Sequence, residues 1–331
     1  MRVLTLRELN RATLARQLLL DRRKLAPAAA TERVAGLQAQ WAPAPYVGVW
    51  TRVAAFRRDA LERALLVGGV VRAVLMRGTI HLVSARDYRT FATAVDAPPW
   101  TDGVVLADGV TAAARAFCAA PRTRAEIAAA VGLPLEDSAW YALRAKARLA
   151  HAAESGYWKP KGVTRYVAVD HDPVDPAAAR VELVRRYLAA FGPASRADVS
   201  AWSGLRVRDV EPVLEALEPL RRFRDERGRE LYDLPRAPLP GADTPAPVRL
   251  LPRFDNLLLS HHDRNRVIAD EHRGDVIDGG WVKAAFLVDG FVAGTWEAEK
   301  GRVRLEPFAP LPRTARREAE DEARRLEAWL A

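Results

Sequence analysis

Two stretches of this chain carry the same local instructions, and few folds accommodate both. Pro121-Arg122-Thr123-Arg124-Ala125-Glu126-Ile127-Ala128 closes on Gly132-Leu133, and Pro193-Ala194-Ser195-Arg196-Ala197-Asp198-Val199-Ser200 closes on Gly204-Leu205. In each, a hydroxyl residue stands three positions before an acid, the capping-box pattern that starts a helix. The glycine at the far end supplies the left-handed turn that stops it. Each copy is preceded by an apolar helical run, at Ala112–Ala119 and Ala178–Phe191. A second helix follows, near Leu135–Leu149 and Val207–Leu217, and then two short strands around a polar turn. The first pair is expected near Ala152–Lys159 and Thr164–Val169, the second near Leu220–Asp225 and Glu230–Leu234. Three helices followed by a hairpin describe a winged helix, the helix-turn-helix variant with a basic β-wing.

The first hundred residues follow the same plan more loosely. Leu4–Leu20 is amphipathic, a helix from Ala28 places Val34, Leu37 and Trp41 on one side, and Arg57–Leu66 makes a third. Val70 to Val83 then reads as two strands around an Arg77-Gly78 turn. Five prolines between Pro235 and Pro247 mark a linker. Beyond it come short strands at Val248–Leu251, Val267, Trp281–Val288, Phe291–Trp296 and Val303–Pro307, then a charged helix over Thr314–Leu330. The fold expected is α+β: winged units over 1–110, 111–175 and 176–240, and a small β-barrel with a C-terminal helix over 241–331.

Composition narrows the function. The net charge is +9, and 45 of the 51 basic residues are Arg, the others being Lys24, Lys146, Lys159, Lys161, Lys283 and Lys300. A positive chain with Arg throughout is what neutralising a phosphate backbone requires. No apolar stretch is long enough to span a membrane and the N-terminus lacks a signal-peptide core, so a cytoplasmic, nucleoid-associated protein is expected. The one cysteine, Cys118, rules out an internal disulfide and reads as a buried thiol. The six histidines show no ligand spacing, and no phosphate-cradling glycine loop occurs; neither metal nor cofactor is expected. Asp170-His171-Asp172 reads as surface, and Trp140, Trp158, Trp202, Trp281 and Trp296 as core.

Leu37-Gln38-Ala39-Gln40-Trp41 places two uncharged amides two apart before Pro43 and Pro45, which forbid the helix to continue. With Met76-Arg77-Gly78-Thr79-Ile80-His81-Leu82-Val83, with Leu251 to Arg264, and with Val288-Asp289-Gly290-Phe291 to Trp296, this segment resembles the winged-helix DNA glycosylases related to AlkZ and YcaQ. The resemblance spans essentially the whole chain. It implies three winged helices in a C shape with a β-barrel, enclosing a basic channel for DNA. It also implies a catalytic Gln-x-Gln at Gln38 and Gln40, the AlkZ-like form, which acts on bulky adducts and interstrand crosslinks made by a genotoxic natural product. A DNA-facing His-x-Asp-Arg hairpin is matched by His261-His262-Asp263-Arg264.

The residues carry a consistent chemistry. A purine alkylated at N7 or N3 is already cationic, so its glycosidic bond needs no strong acid. It needs a water held at the anomeric carbon and stabilisation of an oxocarbenium-like sugar. A glutamine carbonyl can orient water but cannot act as a strong base, which confines the enzyme to labile adducts. Gln40 is assigned the water and Gln38 the sugar or a share of the water, with Trp41 as a pocket wall. His261, Asp263 and Arg264 are expected in a DNA groove and Arg266 on phosphate. Arg77, Lys159, Lys161 and Arg165 are expected at wing phosphates. The partner is double-stranded DNA carrying alkylated purines, bound by a monomer. The rival readings are a non-catalytic DNA-binding protein, either regulator or lesion shield, and a protein-interaction scaffold.

Overall fold

A computed structural model describes residues 1–95, 101, 103–133, 137–170 and 174–331. His171 lies outside the described residues. The helices of both repeat copies form where expected, but in the first copy the leading strand is Leu149–His151 and not Ala152–Lys159, where Ala153–Gly156 makes a 3₁₀ turn instead. Thr123 caps helix Arg124–Val131 and Ser195 caps helix Arg196–Ser203, each in a reciprocal box with Glu126 or Asp198. Gly132 and Gly204 end them at φ 64° and 84°. Helices Val110–Phe117 and Asp137–Lys146 complete the first set, and Pro176–Phe191 and Val207–Glu215 the second.

Each set carries a three-stranded sheet. In the first, Arg165–Ala168 lies between Arg122–Thr123 and Leu149–His151. In the second, Arg221–Asp225 pairs antiparallel with Glu230–Asp233 and, on its other edge, parallel with Val3–Leu4. The N-terminal portion holds helices Leu6–Arg16, Pro27–Arg33 and Arg58–Leu66 and a sheet in which Ile80–Ser84 lies between Leu37–Gln38 and Val70–Val74.

The helix expected to carry the glutamines is replaced by a strand. Helix Pro27–Arg33 stops where Ala35 and Gly36 take φ of 58° and 89°. A Cβ at Gly36 would lie 2.8 Å from Val83 Cγ1, so the chain turns against its neighbour and runs on as Leu37–Gln38. The prolines do not end a helix; Pro43 and Pro45 open a new one at Ala44–Trp50.

The C-terminal portion is not a closed barrel. Its strands form an open antiparallel sheet in the order Arg249–Leu251, Ala285–Val288, Phe291–Glu299, Arg302–Pro307, beside a separate Ile277–Asp278/Trp281–Val282 hairpin. Val267 joins no strand, and Trp281 is exposed rather than core. Helix Arg313–Leu330 packs Ala319 and Leu326 into the core that holds Leu250, Phe286 and Trp296, and that core continues to Leu37, Tyr46 and Trp50. The glutamine strand thus rests on the C-terminal sheet. A second core joins Val71, Met76 and Val83 to Leu183, Tyr187, Phe191 and Trp202.

Several arginines are structural. Arg16 and Arg52 are fully buried, forked onto Asp233 and Asp255, and Arg11 is buried against Asp289. A planar fork suits such pairs better than an ammonium. Asp289 and Gly290 form the tight turn between Ala285–Val288 and Phe291–Glu299, with φ of 47° and 84°, and they receive Arg7, Arg11 and Asn10 from the first helix. Cys118 is buried, and burial pushes its thiol up.

Candidate functional site

Gln38 and Gln40 lie at the free edge of their sheet, and neither side chain is loose. Gln38 is buried at 6 % exposure, and its Oε1 accepts from Arg77 Nη2 at 3.0 Å. Gln40 is exposed, and its Oε1 accepts from the Ile80 N–H at 3.1 Å, so the side chain continues the ladder where the strand has ended. Both partners are donors only, which assigns the oxygen of each amide to that contact and leaves the NH₂ of each without a protein acceptor among the described residues. Between them, the Ala39 N–H donates to Ile80 O at 2.7 Å. The Ala39 carbonyl takes two hydrogen bonds from Arg72, at 3.1 and 2.9 Å. Arg72 also reaches Ser155 O at 3.2 Å, tying the motif to the second hairpin. Trp41 is 49 % exposed beside Gln40.

Arg77 does not stand at a wing tip. Its Nη1 donates to the Trp202 carbonyl while Nη2 holds Gln38, and burial together with nearby Arg264 lowers its pKa to about 10. It remains charged at neutral pH and is occupied within the fold. A left-handed φ of 55° at Arg77 accompanies a close approach to Gly204, where a Cβ would sit 3.2 Å from Arg77 N. His81, passed over in the sequence, faces Gln38 directly across the strand pair. Only the pairing of two short strands brings them together, so no local signal announced it.

The His-x-Asp-Arg segment divides. His261 is buried at 2 % exposure among Tyr187 and Phe191, with Nε2 3.1 Å from the Phe191 carbonyl and Nδ1 2.9 Å from Ser260 Oγ. A carbonyl only accepts, so Nε2 carries the proton and Ser260 donates to Nδ1. Burial, with Arg266 nearby, brings the imidazole down to about 3. It is a neutral core histidine rather than a groove contact. Arg266 is likewise buried, donating to Phe191 O at 3.2 Å and Pro193 O at 2.8 Å, and it is not available to phosphate.

The outward members are His262 and, partly, Asp263 and Arg264. The His262 N–H is held by Asp198 at 2.9 Å. Asp263 accepts from Arg227 at 3.0 Å and lies 2.7 Å from Arg229, both in the turn after Arg221–Asp225. Burial opposes its charge, but the Asn265 N–H and these two cations outweigh it and lower its pKa. Arg264 is half-buried, and among the described residues its Nε has no hydrogen-bond partner. On the second hairpin, Lys159 and Lys161 are exposed, while exposed Arg165 lies 3.6 Å from Glu126. The lysines line a cleft with Phe56, Arg57, Trp158 and Trp329.

The structure thus holds the two glutamine oxygens at a strand edge, leaves His262 and parts of Asp263 and Arg264 outward, and buries His261, Arg266 and Arg77. The chain belongs to the AlkZ-like DNA glycosylase family, whose model matches residues 31–329. It is 24 % identical to the interstrand DNA cross-link repair glycosylase of Streptomyces sahachiroi, over 88 % of this chain and 87 % of that one. The solved structure of Streptomyces sahachiroi DNA glycosylase AlkZ shares the fold, with a TM-score of 0.84, 21 % identity, and 100 % and 98 % of the two chains covered.

Proposed function

We propose that this protein is a monofunctional DNA glycosylase that hydrolyses the N-glycosidic bond of bulky N7- or N3-alkylated purines. Interstrand crosslinks are included among its substrates, in DNA repair or in resistance to a genotoxic natural product. The observation that carries the reading is the glutamine pair. Gln40 is exposed, its oxygen is pinned by one neutral N–H, and that oxygen keeps a second lone pair for a water. The water attacks C1′ as the bond to the base nitrogen breaks, and the cationic purine leaves neutral with the bonding pair. The water's proton passes to solvent. Gln38 has the Arg77 guanidinium at its oxygen. A positive group there disfavours a cationic sugar close by, which supports a positioning role for Gln38 and the water for Gln40.

The three helix-and-hairpin sets are read as winged helices presenting duplex DNA to this strand edge. His262, Asp263, Arg264, Lys159 and Lys161 are the contacts the exposed surface offers. The protein acts as a monomer on double-stranded DNA in the cytoplasm. Purified protein with a duplex carrying a bulky N7-alkylguanine adduct, followed by alkaline cleavage, tests the activity. Gln40→Ala is expected to lower single-turnover excision by about 100-fold, with duplex affinity nearly unchanged. Full activity in that variant defeats the mechanism, and absence of abasic sites with wild type defeats the enzyme reading in favour of a lesion-binding protein.

A further inference from the structure

His81 has one ring nitrogen accounted for and one left over. Its Nδ1 lies 3.1 Å from the Thr79 carbonyl, which can only accept, so Nδ1 carries the proton and Nε2 is a bare lone pair. The ring is fully buried, and among the described residues Nε2 has no hydrogen-bond partner. A buried acceptor without a donor costs about 1–3 kcal/mol, so its persistence beside the motif calls for a function. Residues directly opposed in an antiparallel pair project from the same face with Cβ atoms about 5 Å apart, and the residue opposed to His81 is Gln38. Burial and then Arg77 hold the imidazole down at about 3, so it stays neutral and keeps its lone pair at physiological pH. Gln38, for its part, has its oxygen bound to Arg77 and its NH₂ without a protein acceptor among the described residues. The terminal torsion of a glutamine is broad, so a modest turn swings that NH₂ without moving the backbone.

We propose that His81 is a positioning residue for the glutamine pair: when DNA covers the site, its Nε2 accepts a hydrogen bond from the Gln38 side-chain amide. Arg77 then holds Gln38 by the oxygen and His81 holds it by the nitrogen, which leaves one orientation of the amide beside Gln40. This deepens the glycosylase reading and rests on it.

Two substitutions separate the nitrogens. His81→Asn offers a donor near Nδ1 for Thr79 but nothing at Nε2; His81→Gln restores an acceptor near Nε2. Single-turnover excision from a duplex carrying a bulky N7-alkylguanine adduct is expected to fall about ten-fold in His81→Asn, the loss of one orienting hydrogen bond, at unchanged affinity for undamaged duplex. His81→Gln is expected to recover most of the rate. With ¹⁵N-labelled histidine, the Nε2 resonance of His81 is expected to move when undamaged duplex is added to wild type and to stay put in Gln38→Ala. An unmoved resonance in wild type, or full activity in His81→Asn, overturns the proposal. If wild type excises nothing, the glycosylase reading fails, and the resonance still decides whether His81 and Gln38 meet.

Discussion

Replacing Arg77 by Met strips two acceptors of their donor at once, the Gln38 oxygen and the Trp202 carbonyl. Each is buried or nearly so, and an abandoned buried acceptor costs about 1–3 kcal/mol. The variant is therefore expected to lose about 3 kcal/mol in urea unfolding as well as excision activity. Gln40→Ala makes the opposite pair of outcomes: the residue is exposed, so stability is expected within about 0.5 kcal/mol of wild type while excision collapses. The sequence displayed both glutamines but not this division of labour. An arginine in an Arg-Gly turn reads as a wing tip, and nothing local says that its partner lies at Trp202, more than a hundred residues on. The same holds for His261 and Arg266, whose polar types suggest exposure while their hydrogen bonds to the Phe191 carbonyl place them inside. Charge is visible in a sequence, but burial of charge is a tertiary event.

Helix Arg196–Ser203 serves as a bracket between the two motif segments. At its start, Asp198 closes the capping box with Ser195 and takes the His262 N–H; at its end, Trp202 offers its carbonyl to Arg77 and Gly204 lies against the Arg77 backbone. Gly204→Ala is expected to destabilise by at least about 1 kcal/mol, since φ is 84° there and the new Cβ meets Arg77 N at 3.2 Å. Excision is expected to fall further than stability alone explains, because Arg77 is the atom-level link to Gln38; urea titration beside single-turnover kinetics checks both. Caps and glycine stops were legible because they are written within a few residues of one another. The glutamine segment was not, because Val34, Leu37 and Trp41 satisfy a helical spacing that a left-handed Ala35-Gly36 breaks. Two residues make a strand only if another strand is there to receive them. The expected barrel failed for a related reason: alternating segments declare strands, but closure depends on how the edges meet.

Among the described residues, burial keeps three histidines neutral and raises one carboxyl above its ordinary range. Burial pulls His81 and His261 to about 3 and His151 well below its usual value, and it raises Asp87 to about 6 despite Arg186. The depressed histidines favour the fold fully above about pH 6.5, and that advantage is lost as pH falls, because the unfolded chain takes up protons the native one refuses. Asp87 runs the other way, favouring the fold below about pH 4 and losing that contribution as pH rises through 6. Near pH 5 the histidines outnumber it by two protons, so stability is expected to drop by about 3 kcal/mol per pH unit on acidification. Urea midpoints at pH 7 and pH 5 measure it, and a flat profile refutes it. The strand Val3–Leu4 pairs with Arg224 and Asp225, so these early-synthesised residues stay unpaired on the ribosome until the third hairpin has emerged. Val3–Leu4 leaves the tunnel well before the strand it pairs with, and its own backbone edge stays unpaired for as long as translation of that interval takes.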